Sequence, residues 1–322
     1  MRRRVLAAFV AAVLAGCSAG GHSSRSGGSS ASPDTPTTPS TAAAPTLPTT
    51  PATTQLYVSL GDSYAAGYQP GPSGAGTTTR NGFAYLLPGG ATAKGYSLSL
   101  VNFGCDGATV ESMLRTAGCE QIGPEGQIYA TQPQAAAAER FLTDHRGKVA
   151  LVTIVIGGND ITKCALAGDP TACLTDAVQT IKADLATLLQ GVRAAAGPGV
   201  QIVGLTYPDL ALGAWTLGPG PGQNLARLSV PAFKALINPT FAEAYAAIGA
   251  AFVDVTAASG AYGSLDETTT LAPYGTVPVP VAKVCELTFF CDRRDIHPTN
   301  AGYKLISDLV VEALKPAAAT AP

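Results

Sequence analysis

Beyond residue 54 the chain carries five short apolar runs: Leu56 to Leu60, Leu98 to Phe103, Val149 to Ile156, Val200 to Leu205 and Ala251 to Val255. Runs of this length, bounded by Gly, Pro, Asn or Asp, predict strands. Val149 to Ile156 is apolar almost throughout, as expected of a strand buried on both faces. Between the runs, Gln132 to His145, Cys173 to Ala196, Pro231 to Gly249 and Asn300 to Leu314 read as helices. Strands that alternate with helices predict a parallel sheet covered on both faces. In such sheets the ligand site lies beyond the carboxyl ends of the strands. The residues that follow each strand are therefore the ones to inspect.

The first 54 residues follow a different pattern. Arg2, Arg3 and Arg4 precede an apolar run from Val5 to Ala15 that is too short for a permanent bilayer span. Residues 1–16 therefore read as a signal peptide. The run ends in Leu14-Ala15-Gly16-Cys17, which resembles the lipobox of bacterial lipoproteins, with Cys17 as the lipidated residue. A plain signal peptide with a chance cysteine is the alternative. Residues 17–54 hold the cysteine and a Ser, Thr, Pro, Ala and Gly tether. With no aromatic residue, the tether buries too little to offset the entropy of ordering. Thr35 to Thr54 has the composition of an O-glycosylated stalk. Residues 55–316 form the expected globular domain, and 317–322 a disordered tail.

Charge narrows the partners. The whole chain carries −2, and Arg2, Arg3 and Arg4 supply three of its positive charges, so the chain after Gly16 carries −5. An acidic domain without basic clusters is a poor match for nucleic acid. Seven cysteines are present, and setting Cys17 aside leaves six in the domain. An even number in an exported domain suggests disulfides. Their count leaves many pairings open, of which the sequential one is favoured: Cys105–Cys119, Cys164–Cys173 and Cys285–Cys291 each flank a short loop. With no C-x-x-C, and only His297 near a cysteine pair, a metal site is not expected.

The strand ends carry four blocks in order. Gly61-Asp62-Ser63-Tyr64 follows the first strand and Asn102-Phe103-Gly104-Cys105-Asp106-Gly107 the second. Gly157-Gly158-Asn159-Asp160 follows the third, and Asp295-Ile296-His297-Pro298 precedes the last helix. Each block alone is weak; Ser63, for example, could merely be a helix N-cap. Together, from Gly61 to Tyr303, they resemble the GDSL or SGNH hydrolase family. The resemblance implies a three-layer α/β/α sandwich with a mainly parallel five-stranded sheet. It also implies ester or thioester hydrolysis without a cofactor, and three disulfides of this local kind look like the family's secreted lipase/esterase branch.

Carried over residue by residue, the resemblance makes Ser63 the nucleophile and His297 the general base. The oxyanion donors would be the backbone N–H groups of Ser63 and Gly107 and the side-chain amide of Asn159. A side chain at residue 107 would block the approach of substrate to the backbone. Asp160 is expected to be structural, as is His145 at a helix end. The third triad member departs from the family's Asp-x-x-His pattern, because that position holds Arg294. Either Asp295 reaches the imidazole from a shifted loop or a backbone carbonyl near Arg294 orients it; Asp292 is the remaining carboxylate. Asp295 is favoured because it is nearest and follows two arginines that would keep it ionised.

Residues 207–230 and 257–291 read as long Gly/Pro-rich connections that could form lids or binding walls. Trp215, Phe289 and Phe290 lie in them, and apolar residues there favour an acyl chain, unless they are small satellite cores. The expected protein is an exported esterase or lipase, a monomer held to the outer face of the membrane through lipid on Cys17 or secreted. Its substrate would be a small-molecule or lipid ester. A glycan deacetylase and a catalytically dead binding protein are the rival readings.

Overall fold

A computed structural model describes residues 53–317; the signal, lipidation and most of the tether lie outside the described residues. In chain order the strands are β1 (Gln55–Gly61), β2 (Tyr68–Pro70), β3 (Gly76–Thr78), β4 (Leu98–Asn102), β5 (Val149–Val155), β6 (Gln201–Leu205), β7 (Ala251–Val253), β8 (Thr268–Leu271) and β9 (Gly275–Pro278). Five of them form one parallel sheet in the order β4-β1-β5-β6-β7. The apolar runs thus become the sheet, each within a residue or two of its expected bounds. β2–β3 and β8–β9 are separate antiparallel hairpins.

The main helices are α1 (Ser63–Ala66), α2 (Phe83–Ala91), α3 (Val110–Arg115), α4 (Gln134–Asp144), α5 (Gly158–Thr162), α6 (Pro170–Ala196), α7 (Pro221–Ala232), α8 (Asn238–Ala247), α9 (Val255–Ala258), α10 (Val279–Leu287), α11 (Phe290–Arg293) and α12 (Asn300–Ala313). Strand residues alternate between two cores because successive side chains point to opposite faces. Val58, Leu60, Val152 and Ile154 pack with Leu142 of α4 and Leu185 and Leu189 of α6. Tyr57, Leu151, Val155 and Val203 pack with Phe83 and Leu87 of α2 and Ile306 and Val310 of α12. This is the three-layer α/β/α sandwich.

Two expectations change. The helix expected over Pro231 to Gly249 is the end of a longer helical run: α7, then a single π-helical stretch over Phe233–Ile237, then α8. The regions 207–230 and 257–291 are not open connections. They hold a 3₁₀ helix (Leu210–Leu217), α7, the β8–β9 hairpin, α10 and α11. Pro221 and Pro280 sit in the first turns of α7 and α10, where the missing N–H is unneeded, so these prolines start helices instead of breaking them. The segments share a small core of Leu212, Ala226, Ala261, Val277, Val281 and Val284, with Trp215 packed against it.

All three disulfides join the expected partners: Cys105–Cys119, Cys164–Cys173 and Cys285–Cys291. Among the described residues, no helix is long and apolar enough to cross a membrane. Ala317, at the start of the expected tail, donates its N–H to the Lys94 carbonyl at 2.9 Å.

Candidate active site

The site is built from the turn after β1 outward. Gly61 ends β1 with φ +137°, and a Cβ there would meet the Val155 carbonyl oxygen at 1.9 Å, so only glycine lets the chain leave the sheet here. Asp62, not Ser63, caps the helix that follows: its Oδ1 accepts from Tyr64 N at 2.9 Å. Ser63 is then the first residue of α1, only 3% exposed. The N–H of a first helical residue has no intrahelical acceptor.

His297 lies between α11 and α12, 8% exposed. Its loop explains the departure from the Asp-x-x-His spacing. Arg294 closes α11 in the left-handed region at φ 56°, which turns the chain back. Asp295 Oδ1 then accepts from the His297 backbone N–H at 2.9 Å and stands 2.7 Å from His297 Nδ1. One Asx turn thus brings a carboxylate onto the imidazole of the residue two ahead. The carboxylate, and not a carbonyl near Arg294, partners Nδ1. Asp292 is exposed and pairs with Arg293. Burial pushes the Asp295 carboxyl up, but the hydrogen bonds and charge of His297 outweigh this and hold it below its ordinary value. Of the two arginines expected to keep Asp295 ionised, Arg293 does so to a smaller extent than His297, while the Arg294 guanidinium turns away to Thr216 Oγ1 at 2.7 Å.

The histidine loop is tied to the serine helix. The Tyr64 hydroxyl donates to the Ile296 carbonyl at 2.8 Å, and the Tyr68 ring lies 4.3 Å from the imidazole, centre to centre. The Tyr303 hydroxyl of α12 donates to the Tyr68 carbonyl at 2.8 Å. Ser63, Asp295 and His297 therefore share one corner at the carboxyl edge of the sheet. His145 sits at the end of α4, stacked on Phe141 with its Nδ1 2.8 Å from the Phe141 carbonyl oxygen, a structural place as expected.

The other two blocks end at the same edge. Gly107 has φ +76°, and a Cβ there would meet nothing within 4 Å. Backbone conformation, rather than crowding by the protein itself, is what selects glycine. The Asn159 amide donates to the Ala108 carbonyl at 2.8 Å, which fixes it beside Gly107. An amide nitrogen has two hydrogens, so one donor remains. Asp160 Oδ2 accepts from Val110 N at 3.1 Å at the start of α3, a structural bond as expected. Trp215 is overlaid by the Arg227 guanidinium, and Phe290 covers Gly213. Trp215 packs against the satellite core, one of the two places expected for these aromatic groups, and like Phe289 and Phe290 it stays partly exposed.

Sequence reasoning missed several buried groups. Asp62 is 1% exposed; the Tyr207 hydroxyl donates to its Oδ2 at 2.5 Å, and burial pushes its pKa up to about 7. Asp106, next to Gly107, is also pushed up, first by burial, against the charge of His297. Gln134 and Asn102 bond the backbone around α1. Their partners are distant in sequence, and no local signal points to them. Among the described residues, no group of three or more His, Cys, Asp or Glu is placed to hold a metal ion.

The chain belongs to the GDSL-like lipase/acylhydrolase family, whose sequence model matches residues 59–305. It is accordingly a carboxylic ester hydrolase. Among solved structures it is similar to an extracellular lipase of Streptomyces rimosus: 23% identity over 80% of this chain and 98% of that one, TM-score 0.47. It is also similar to an acetylxylan esterase of Geobacillus stearothermophilus (17% identity, 80% and 93%, TM-score 0.45) and an aryl esterase of M. smegmatis (15%, 80% and 97%, TM-score 0.40). No curated protein matches the chain.

Proposed function

We propose that the protein cleaves carboxylic esters through an acyl-Ser63 intermediate, with His297 as base and Asp295 as its partner. The observation that carries this reading is the 2.7 Å contact of Asp295 Oδ1 with His297 Nδ1. A carboxylate there holds the proton on Nδ1 and leaves the Nε2 lone pair to take the serine proton. Ser63 Oγ attacks the ester carbonyl as its proton passes to Nε2. The oxyanion is met by the N–H groups of Ser63 and Gly107 and the remaining Asn159 hydrogen. The imidazolium, stabilised by Asp295, protonates the leaving alcohol. Water then repeats the sequence on the acyl-enzyme and frees the acid.

The substrate is an ester with an acyl chain; Leu217 and Leu228, 60% and 61% exposed on the satellite region, support this. Removal of acetyl groups from a cell-surface glycan is the second reading, supported by the half-buried Tyr68 ring and Asp106 beside His297. We place the enzyme outside the cytoplasm, anchored by lipid on Cys17. The Arg2–Arg4 and Leu14–Cys17 pattern supports this, as do three disulfides, which persist in oxidising compartments. Nitrophenyl esters of graded chain length, assayed beside Ser63→Ala, separate the substrates. Longest-chain preference supports the first, acetyl preference the second, and an active Ser63→Ala enzyme contradicts both.

A further inference from the structure

The helix that carries Ser63 has four residues, too few to be stable alone. What holds it is found at its two ends. At the far end, Asn102 Nδ2 donates to the Ala65 carbonyl at 2.8 Å while its Oδ1 accepts from Gly104 N at 2.8 Å. At the near end β4 stops at Asn102, and the residues after it reach β1 only as donors, Phe103 N to Ser59 O and Cys105 N to Gly61 O. Gly61 therefore has no strand residue to take its N–H on that side. Gln134, 2% exposed at the start of α4, takes it instead. Its Oε1 accepts from Gly61 N at 2.8 Å and its Nε2 donates to Gly61 O at 3.0 Å. The same Nε2 lies 3.4 Å from the Tyr129 hydroxyl, which itself donates to the Phe103 carbonyl at 3.0 Å. Gly61 O also accepts from Cys105 N at 3.0 Å, on the block that leads to Gly107.

We propose that Gln134 is a positioning residue for the reaction: its amide replaces a missing strand partner at Gly61 and so fixes the Ser63 hydroxyl and N–H against the Gly107 turn. This rests on Ser63 being the nucleophile. Gln134 touches no reacting atom. Its effect is on the placement of two groups that must meet one carbonyl carbon and its oxygen, where an error of about 1 Å costs on the order of 100-fold in rate.

The chemistry of the bond supplies a test that a merely structural role would not pass. A carboxylic acid offers one acceptor and one donor, as the amide does, whereas a carboxylate is acceptor-only and would repel the Gly61 carbonyl. Gln134→Glu should lower kcat about 100-fold near pH 8, with KM within about threefold of wild type. Its kcat relative to wild type at the same pH should recover at least tenfold on going to about pH 5.5, as the buried acid takes up its proton. Gln134→Leu, of similar size, should be impaired without pH-dependent recovery. The full-length protein is used, its folding checked by circular dichroism, and the Leu variant serves if the Glu variant does not fold. A kcat within threefold of wild type for a folded Gln134→Leu enzyme overturns the proposal, as does a Glu variant that shows no recovery. Ser63→Ala is measured in parallel. If it stays active, the nucleophile reading fails and the proposal falls with it, a result distinct from a normal Gln134 variant beside a dead Ser63→Ala.

Discussion

The carboxyl edge of the sheet and the satellite region of residues 209–291 each hold an aspartate drawn out of solvent, half-buried Asp295 and buried Asp209, and the two are handled differently. At the edge, Asp295 faces an imidazole that can become a cation and is held below its ordinary value. In the satellite, Asp209 is fully buried and caps the 3₁₀ helix through Ala211 N at 3.1 Å. It also accepts from Ser229 Oγ at 2.7 Å. Among the described residues no cation offsets its burial, and its pKa is pushed up to about 7. One carboxyl is arranged to be charged at neutral pH, the other tolerates neutrality. The edge is organised around a developing charge, the satellite around a helix start.

That difference can be broken by substitution. At the edge, Ser63→Ala and His297→Ala should each lose about 10⁴-fold or more in kcat with little change in melting temperature, read by ester hydrolysis and calorimetry. Asp295→Asn should lose on the order of 10³- to 10⁴-fold, while Asp292→Asn stays near wild type. A mild Asp295→Asn phenotype, about tenfold, would mean that the Asx turn orients the ring and the charge is idle. Asn159→Ala should cost about 10²- to 10³-fold, the loss of one oxyanion donor.

Stability should report the satellite and the crosslinks. Loss of Cys105–Cys119 by double Ser substitution should cost roughly 3 kcal/mol, and loss of the shorter Cys285–Cys291 loop roughly 2 kcal/mol. Asp209 gives a pH signature. Between its ordinary value near 3.8 and about 7 the folded protein binds more protons than the unfolded chain, so its contribution to stability falls as pH rises through that window and is flat above it. Asp62, also raised to about 7, acts in the same direction. Asp295 has the opposite sign: its contribution is present above the unfolded value and is lost as pH falls through its lowered folded value. Asp209→Asn should flatten part of the decline in melting temperature between pH 4 and 7 and leave kcat within about threefold. A large loss of kcat there would erase the distinction between the two regions.

The sheet was legible because Val149 to Ile156 and its fellows announce buried strands by composition alone. The four blocks were legible as an ordered set, three after strands and one before the last helix, although each alone is weak. Asp295 could be named but not decided between a carboxylate and a carbonyl, since the answer depends on Arg294 entering the left-handed region. α2 contains Pro88 and two glycines and α10 carries Pro280 in its first turn, so breaker residues mask apolar faces formed by Phe83, Ala84, Leu87 and Ala91 and by Val281, Val284 and Leu287. Gln134, Asn102 and Tyr207 act on backbone or side chains 73, 37 and 145 residues away. Such bonds leave no trace in a single sequence.

The central claim is that Ser63 attacks the ester. A fluorophosphonate probe followed by peptide mass spectrometry tests it most directly, because a serine made nucleophilic by a neighbouring base is the one that forms the phosphonyl bond. The account predicts one adduct per chain, on Ser63, with activity lost in step with labelling and no adduct in His297→Ala. A stoichiometric adduct on any other serine, or full activity with Ser63 modified, would contradict it.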